Sequence, residues 1–228
     1  MIKTLFPELY FIAKLPNHEE VKKTFMSSID GLRFPPNDLW QSKVNTTFKQ
    51  QVEQRYASAA GFDTIINEPY RHNTIDNSKL PWSVYMKNLN ELIKNFLNEL
   101  NVQVDYKVDI IENWLNQYVQ GMYQELHTHV ASPKYGTTFG INYFLKYDPE
   151  KDCKFFFYNT KHAIQETTGM TEMFENSPWR VDETFFPDVK EGDVIIFPSY
   201  LMHGVSLQET VGERITLTTN IRVERADG

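Results

Sequence analysis

Apolar residues recur at helical spacing early in the chain and at strand spacing later. In WSVYMKNLNELIKNFLNEL (82–100), Val84, Leu89, Leu92, Ile93, Phe96, Leu97 and Leu100 fall three or four positions apart, which predicts an amphipathic helix. NHEEVKKTFMSSID (17–30) predicts another, with Asn17 as N-cap and Glu19 and Glu20 in the first turn. The stretches RFPPND and NEPYRHNTIDNSKLP between them are polar and turn-rich, and are expected to wrap the surface. From about residue 103 the rhythm changes to VDIIENWLNQYV, YQELHTHV, TTFGINYFLKY, CKFFFYN, DETFFPDV, DVIIFPS, HGVSL and ERITLTTNIRVE. Seven or eight short strands broken by turns predict a sandwich or barrel. Glu191-Gly192-Asp193 supplies a tight turn into an apolar strand that stops at Pro198. The expected fold is mainly β with N-terminal helices. A single domain spans 1–228, with 1–102 as an N-terminal strand and helical support and 103–225 as a double-sheet core.

Composition narrows the setting. With 228 residues, 41% hydrophobic and 14% aromatic, the chain reads as one globular domain large enough to need no staples. A single cysteine, Cys153, excludes an internal disulfide and fits a reducing, cytoplasmic compartment. The first twenty residues lack a long apolar segment, and no run approaches membrane-spanning length. A net charge of −7 disfavours nonspecific adhesion to nucleic acid. The expected partner is a protein, peptide or small-molecule substrate. A homodimer is compatible with the chain, although oligomeric state is not legible in it.

The chemistry concentrates in QELHTHV (124–130). On an extended strand Glu125, His127 and His129 would share one face. Glu125 and His129 would then stand about 13 Å apart, at roughly 3.3 Å per residue, too far to hold one ion together. The strand therefore offers Glu125 with His127, or His127 with His129. His203 follows the strand ending at Pro198, and Arg214 opens the last strand. Three imidazoles suit Fe, Zn, Cu or Ni, and a fixed guanidinium suits a carboxylate. His18, His72 and His162 read as packed or solvated side chains.

Residues 112–223 resemble the iron(II)- and 2-oxoglutarate-dependent dioxygenases, a double-stranded β-helix (jelly-roll) family. The resemblance rests on WLNQY, HTH, NYFL, GDVIIFPS, HGV and RITLTTN in that order, and LFPELY is similar to the first strand of one prolyl-hydroxylase-like subset. It implies Fe(II) and 2-oxoglutarate as cofactors. His127, His129 and His203 fall on the metal positions, with Glu125 as rival ligand because His129 stands where a carboxylate is usual. Arg214 falls on the residue that pairs the distal carboxylate of 2-oxoglutarate, with Thr216 on the same face, and Asn116 and Tyr118 fall on an N-x-Y that also touches it. In TTFGINYFL, alternation sends Phe139, Ile141, Tyr143 and Leu145 to the core and Asn142 to the site. The implied outcome is hydroxylation of an unidentified substrate, with a peptidyl prolyl residue the leading class.

Two other classes fit the same residues: a three-His metal enzyme of cupin or zinc-hydrolase type that does not use 2-oxoglutarate, and a β-sandwich binding module. The loop 159–183 is long and polar, and is expected to cover the substrate with Trp179 or Arg180 as contacts.

Overall fold

The computed structural model describes residues 8–35, 43–48, 74–130, 136–177 and 182–226. Its strands are β1 (Phe11–Lys14), β2 (Asn45–Thr46), β3 (Tyr106–Val119), β4 (Gln124–His127), β5 (Phe139–Lys146), β6 (Phe155–Tyr158), β7 (Thr184–Phe185), β8 (Asp193–Pro198), β9 (His203–Val205) and β10 (Glu213–Arg225). They form a six-stranded sheet, β1-β8-β5-β10-β3-β2, and a four-stranded sheet, β4-β9-β6-β7. From β3 onward the chain passes back and forth between the sheets, and every strand pair is antiparallel. This is the double-stranded β-helix.

The helices explain why the central strands are apolar on both faces. Helices α1 (His18–Ile29) and α2 (Trp82–Glu99) cover the outer face of the larger sheet. There Val21, Phe25, Leu89, Ile93 and Phe96 pack with Ile141, Tyr143 and Leu145 of β5 and Val194 and Ile196 of β8. The intervening residues, Phe144, Ile195 and Phe197, face the smaller sheet and meet Phe155 and Phe157. Alternation thus holds on β5, except that Phe139 is only partly buried against the helix core. Phe96 is 2% exposed and its ring lies 4.9 Å from that of Phe139 and 5.5 Å from that of Phe11. Phe96→Ala should cost about 3–5 kcal/mol in urea unfolding, the range for a truncated core aromatic. A change below about 1 kcal/mol would contradict this packing.

Local details depart from the sequence reading. Asn17 occupies the N-cap position of α1 with φ 53°, and its side chain caps nothing. A capping side chain works from extended backbone. Here the Asn17 amide instead donates to Asn88 Oδ1 of α2 at 3.0 Å, joining the two helices. The first strand begins at Phe11, just beyond LFPELY, and pairs with the edge of β8. Much of the turn-rich region after α1 lies outside the described residues. Its described end is not merely superficial: Ile75 and Asn77 are fully buried, and Asn77 accepts from Thr47 Oγ1 at 2.6 Å. The loop after β6 carries two short helices, α3 (His162–Thr167) and α4 (Met170–Met173). Trp179 and Arg180 lie outside the described residues. Among the described residues no helix is long and apolar enough to cross a membrane.

Candidate active site

His127, His129 and His203 come together between the sheets, each able to offer a ring nitrogen, with those atoms all within 4.8 Å of one another. The strand geometry that assembles them differs from a simple alternation. In the β4–β9 ladder Gln124 pairs with Val205 and His127 with His203, so a bulge falls at Glu125–Leu126. One extra residue switches the facing side chain. Gln124 and His127 consequently both line the cavity, while Glu125 lies outside both its lining and the histidine group. The strand ends at His127, and His129 sits beyond it, held by its backbone N–H donating to Ser199 O at 2.8 Å. Glu125 and the two histidines therefore do not share one strand face.

Hydrogen bonds set two of the tautomers. Nδ1–H of His127 donates to Glu125 O and Nδ1–H of His203 donates to Leu201 O, both at 2.8 Å. Each leaves its Nε2 unprotonated, as a metal ligand requires, although that of His127 accepts a long hydrogen bond of 3.4 Å from Gln124 Nε2. His129 Nδ1 is buried without a hydrogen-bond partner among the described residues. Gly140 of β5 makes room for this ring: a Cβ there would come within 2.7 Å of His129 Nδ1. Burial lowers the pKa of all three rings, that of His129 to about 3, with the neighbouring histidines lowering His129 and His203 further.

These shifts predict how the metal-free protein responds to acid. The rings are neutral when folded and take protons near pH 6.5 when unfolded, so below that pH the unfolded state binds more protons and stability falls. The penalty is absent above about pH 7. For His129 alone it reaches about 2 kcal/mol at pH 5, at 1.36 kcal/mol per pH unit. Chemical denaturation at pH 5 and 7.5 measures it. A His129→Asn variant that keeps the full pH dependence would count against it.

The other end of the cavity is built by β3 and β10. Their register sets Arg214 opposite Tyr118, Thr216 opposite Asn116 and Thr218 opposite Trp114. All six line the cavity, as does Asn142 of β5, which pairs with Thr218. Asn116 Nδ2 donates to Thr218 Oγ1 at 3.2 Å, and Thr218 Oγ1 donates to Asn142 Oδ1 at 2.8 Å. Tyr118 donates its hydroxyl to Gln124 Oε1 at 2.6 Å and offers its ring face to Arg214.

Arg214 is only 1% exposed. Its guanidinium carbon lies 4.9, 5.2 and 5.7 Å from the ring centres of Tyr118, Phe144 and Tyr147. Its Nη1 donates to Cys153 Sγ at 3.7 Å, and Nε has no partner among the described residues. Burial pushes the Cys153 thiol pKa up, with Arg214 opposing, so the thiol supplies no counter-charge near neutral pH. No described carboxylate forms an ion pair with Arg214. Aromatic faces offset only part of the cost of burying a cation. An anionic ligand reaching this end would complete the pairing.

About 280 Å³ of empty space lies between these residues, part of it open to solvent. Three neutral imidazoles at one end and an unpaired buried guanidinium at the other fit a divalent metal and a small dicarboxylate. The sequence reading did not include Trp114, Gln124, Phe155, Val205 and Thr218, which also line the cavity. Trp114 and Thr218 were accessible to it, because each continues the alternation of a strand already chosen. Gln124 was not, because the bulge reverses its face.

Residues 112–220 match the family model described as "Putative 2OG-Fe(II) oxygenase". The match lies within the β-domain and covers just under half of the chain, so it is this part of the chain that is similar to the 2OG-Fe(II) oxygenase family. Fe(II) and 2-oxoglutarate are that family's cofactors, and they suit the two ends of the cavity. Among solved structures, a Pseudomonas putida prolyl-4-hydroxylase is 12% identical, with a TM-score of 0.54 over 94% of this chain and 92% of that one. HygX from Streptomyces hygroscopicus with nickel and 2-oxoglutarate bound is also 12% identical, with a TM-score of 0.51 over 94% and 82%. The viral collagen prolyl hydroxylase of Paramecium Bursaria Chlorella virus-1 is 15% identical, with a TM-score of 0.50 over 93% and 94%. At these identities the likeness is one of fold. No curated protein matches the sequence.

Proposed function

We propose that this oxygenase hydroxylates a peptidyl prolyl residue in the cytoplasm, with His127, His129 and His203 holding Fe(II) and Arg214 pairing the far carboxylate of 2-oxoglutarate. The observation that carries the cofactor roles is the buried, unpaired Arg214 across one small cavity from three neutral imidazoles. The prolyl class is supported by the prolyl-hydroxylase folds among the structural relatives. The net charge of −7 favours a peptide over nucleic acid, and the lone, buried Cys153 fits a reducing compartment.

The chain's own contributions follow from position. His127 and His203 present Nε2 because backbone carbonyls hold their Nδ1 protons. Arg214, with the Thr216 hydroxyl on the same strand face, orients a bound dicarboxylate toward the histidines. Asn116 and Asn142, linked through Thr218, line the path between. Phe155 and Val205 keep the opposite wall apolar and limit water. With Fe(II) and 2-oxoglutarate bound, O₂ is used to oxidise a substrate C–H bond while 2-oxoglutarate leaves as succinate and CO₂.

Anaerobic titration of metal-free protein with Fe(II) and then 2-oxoglutarate tests the cofactor roles through the visible charge-transfer band of the chelate. The band should appear in the wild type and vanish in His127→Ala and Arg214→Ala. Zinc held tightly with no band would move the site to a three-His enzyme independent of 2-oxoglutarate. Proline-containing peptides incubated aerobically with the loaded enzyme test the substrate class, with a 16-dalton mass gain on proline as the expected result.

A further inference from the structure

The cavity lining contains no carboxylate among the described residues. Ligating imidazoles are neutral, so they leave both charges on a divalent ion. Arg214 adds a third positive charge, and 2-oxoglutarate brings two negative ones. Among the lining groups and these ligands one positive charge remains, and the Glu125 carboxylate, its Oε2 buried and unpartnered among the described residues, offsets it only from outside the lining. Glu125 influences His127 and Tyr118 electrostatically, but its side chain is not in the lining.

A second observation is independent of this charge count. Trp114 lines the cavity, is 4% exposed, and lies with its ring 5.8 Å from that of His129. Its Nε1–H is buried without an acceptor among the described residues. Indole nitrogen only donates and has no alternative tautomer of its own. A bound group with an acceptor atom would satisfy a buried donor of this kind. The donor lies at the Thr218 level of the β3–β10 ladder, four residues along β3 from Tyr118, which faces Arg214.

We infer that the loaded cavity has a subsite for one further monoanionic group, received by the Trp114 indole N–H beside His129. This rests on the cofactor assignment proposed above. The shared chemistry is that of a carboxylate on the primary substrate or of a free halide. The favoured substrates in the first case present a carboxylate near the carbon to be oxidised, such as a prolyl residue at a peptide C-terminus.

The test is anaerobic protein loaded with Fe(II) and saturating 2-oxoglutarate, titrated at constant ionic strength with sodium acetate or sodium chloride while the visible band is followed. A saturable shift of the band supports the subsite. A shift with acetate alone identifies a carboxylate site, and a shift with chloride a halide site. Trp114→Phe should keep the band and weaken the anion response roughly ten- to hundredfold, the loss of one hydrogen bond to a charged group. An unshifted band in the wild type overturns the inference while leaving the cofactor reading intact. Loss of the band on adding anion also overturns it, because the anion then takes the place of 2-oxoglutarate. An undiminished anion response in Trp114→Phe removes the assignment to Trp114. Failure of the band to form at all instead defeats the cofactor reading beneath it.

Discussion

Arg214→Met should abolish 2-oxoglutarate-dependent turnover and at the same time make the metal-free protein more stable. The two effects share one cause. Arg214 is buried at 1% exposure with aromatic faces and a neutral thiol around it. In the absence of an anion its charge is desolvated without full compensation, and replacing such a group with an apolar side chain of similar volume stabilises proteins by about 1–4 kcal/mol. When a carboxylate pairs with it, the same low dielectric makes the pair strong. Removing one partner then costs about 2–5 kcal/mol, or roughly thirty- to several-thousandfold in affinity. Isothermal titration with 2-oxoglutarate and urea unfolding of metal-free protein measure the two sides. A variant that loses stability and binds 2-oxoglutarate normally would show that Arg214 serves the fold alone.

Gly140→Ala should impair metal binding without replacing any ligand. The added Cβ would lie 2.7 Å from His129 Nδ1 and 3.0 Å from two ring carbons of Phe197. Neither neighbour has room to retreat: His129 is 9% exposed, Phe197 is fully buried, and their rings already stand 5.8 Å apart. The ring of His129 must turn or shift. Disturbing the groups that orient a metal ligand typically costs ten- to a hundredfold in affinity. Overpacking should add about 1–3 kcal/mol of destabilisation. His203→Ala sets the upper limit of the effect, because it removes one of the three rings outright, the one that stands 4.3 Å from His127 and 4.8 Å from His129. Fe(II) affinity of the three proteins should rank wild type, Gly140→Ala, His203→Ala. Full metal occupancy in His203→Ala would remove the site as drawn, and wild-type affinity in Gly140→Ala would separate His129 from the metal.

What the sequence determined by itself was local and periodic. Alternation on β3 and β10 chose Asn116, Tyr118, Arg214 and Thr216 for one cavity, and alternation on β5 sent Ile141, Tyr143 and Leu145 to the helix-covered face and Asn142 to the other. The helical spacing of Leu89, Leu92, Ile93, Phe96 and Leu97 chose the buried stripe of α2. Such patterns survive because a strand or helix imposes its period on each side chain without reference to the rest of the chain. Tertiary structure decided whatever depends on how distant segments pair. The bulge in the β4–β9 ladder put Gln124 beside His127 and left Glu125 out of the lining, against the simple alternation of QELHTHV. His129 joined its partners from beyond the strand end through Ser199, in space that only a glycine at position 140 leaves open. Arg214 became a buried cation because Phe144 and Tyr147, and Cys153 beyond them, closed around it. Asn116 found its partner Thr218 at a separation of 102 positions. A one-residue slip in pairing exchanges the two faces of a strand, so the exact membership of the site was a property of the register between strands.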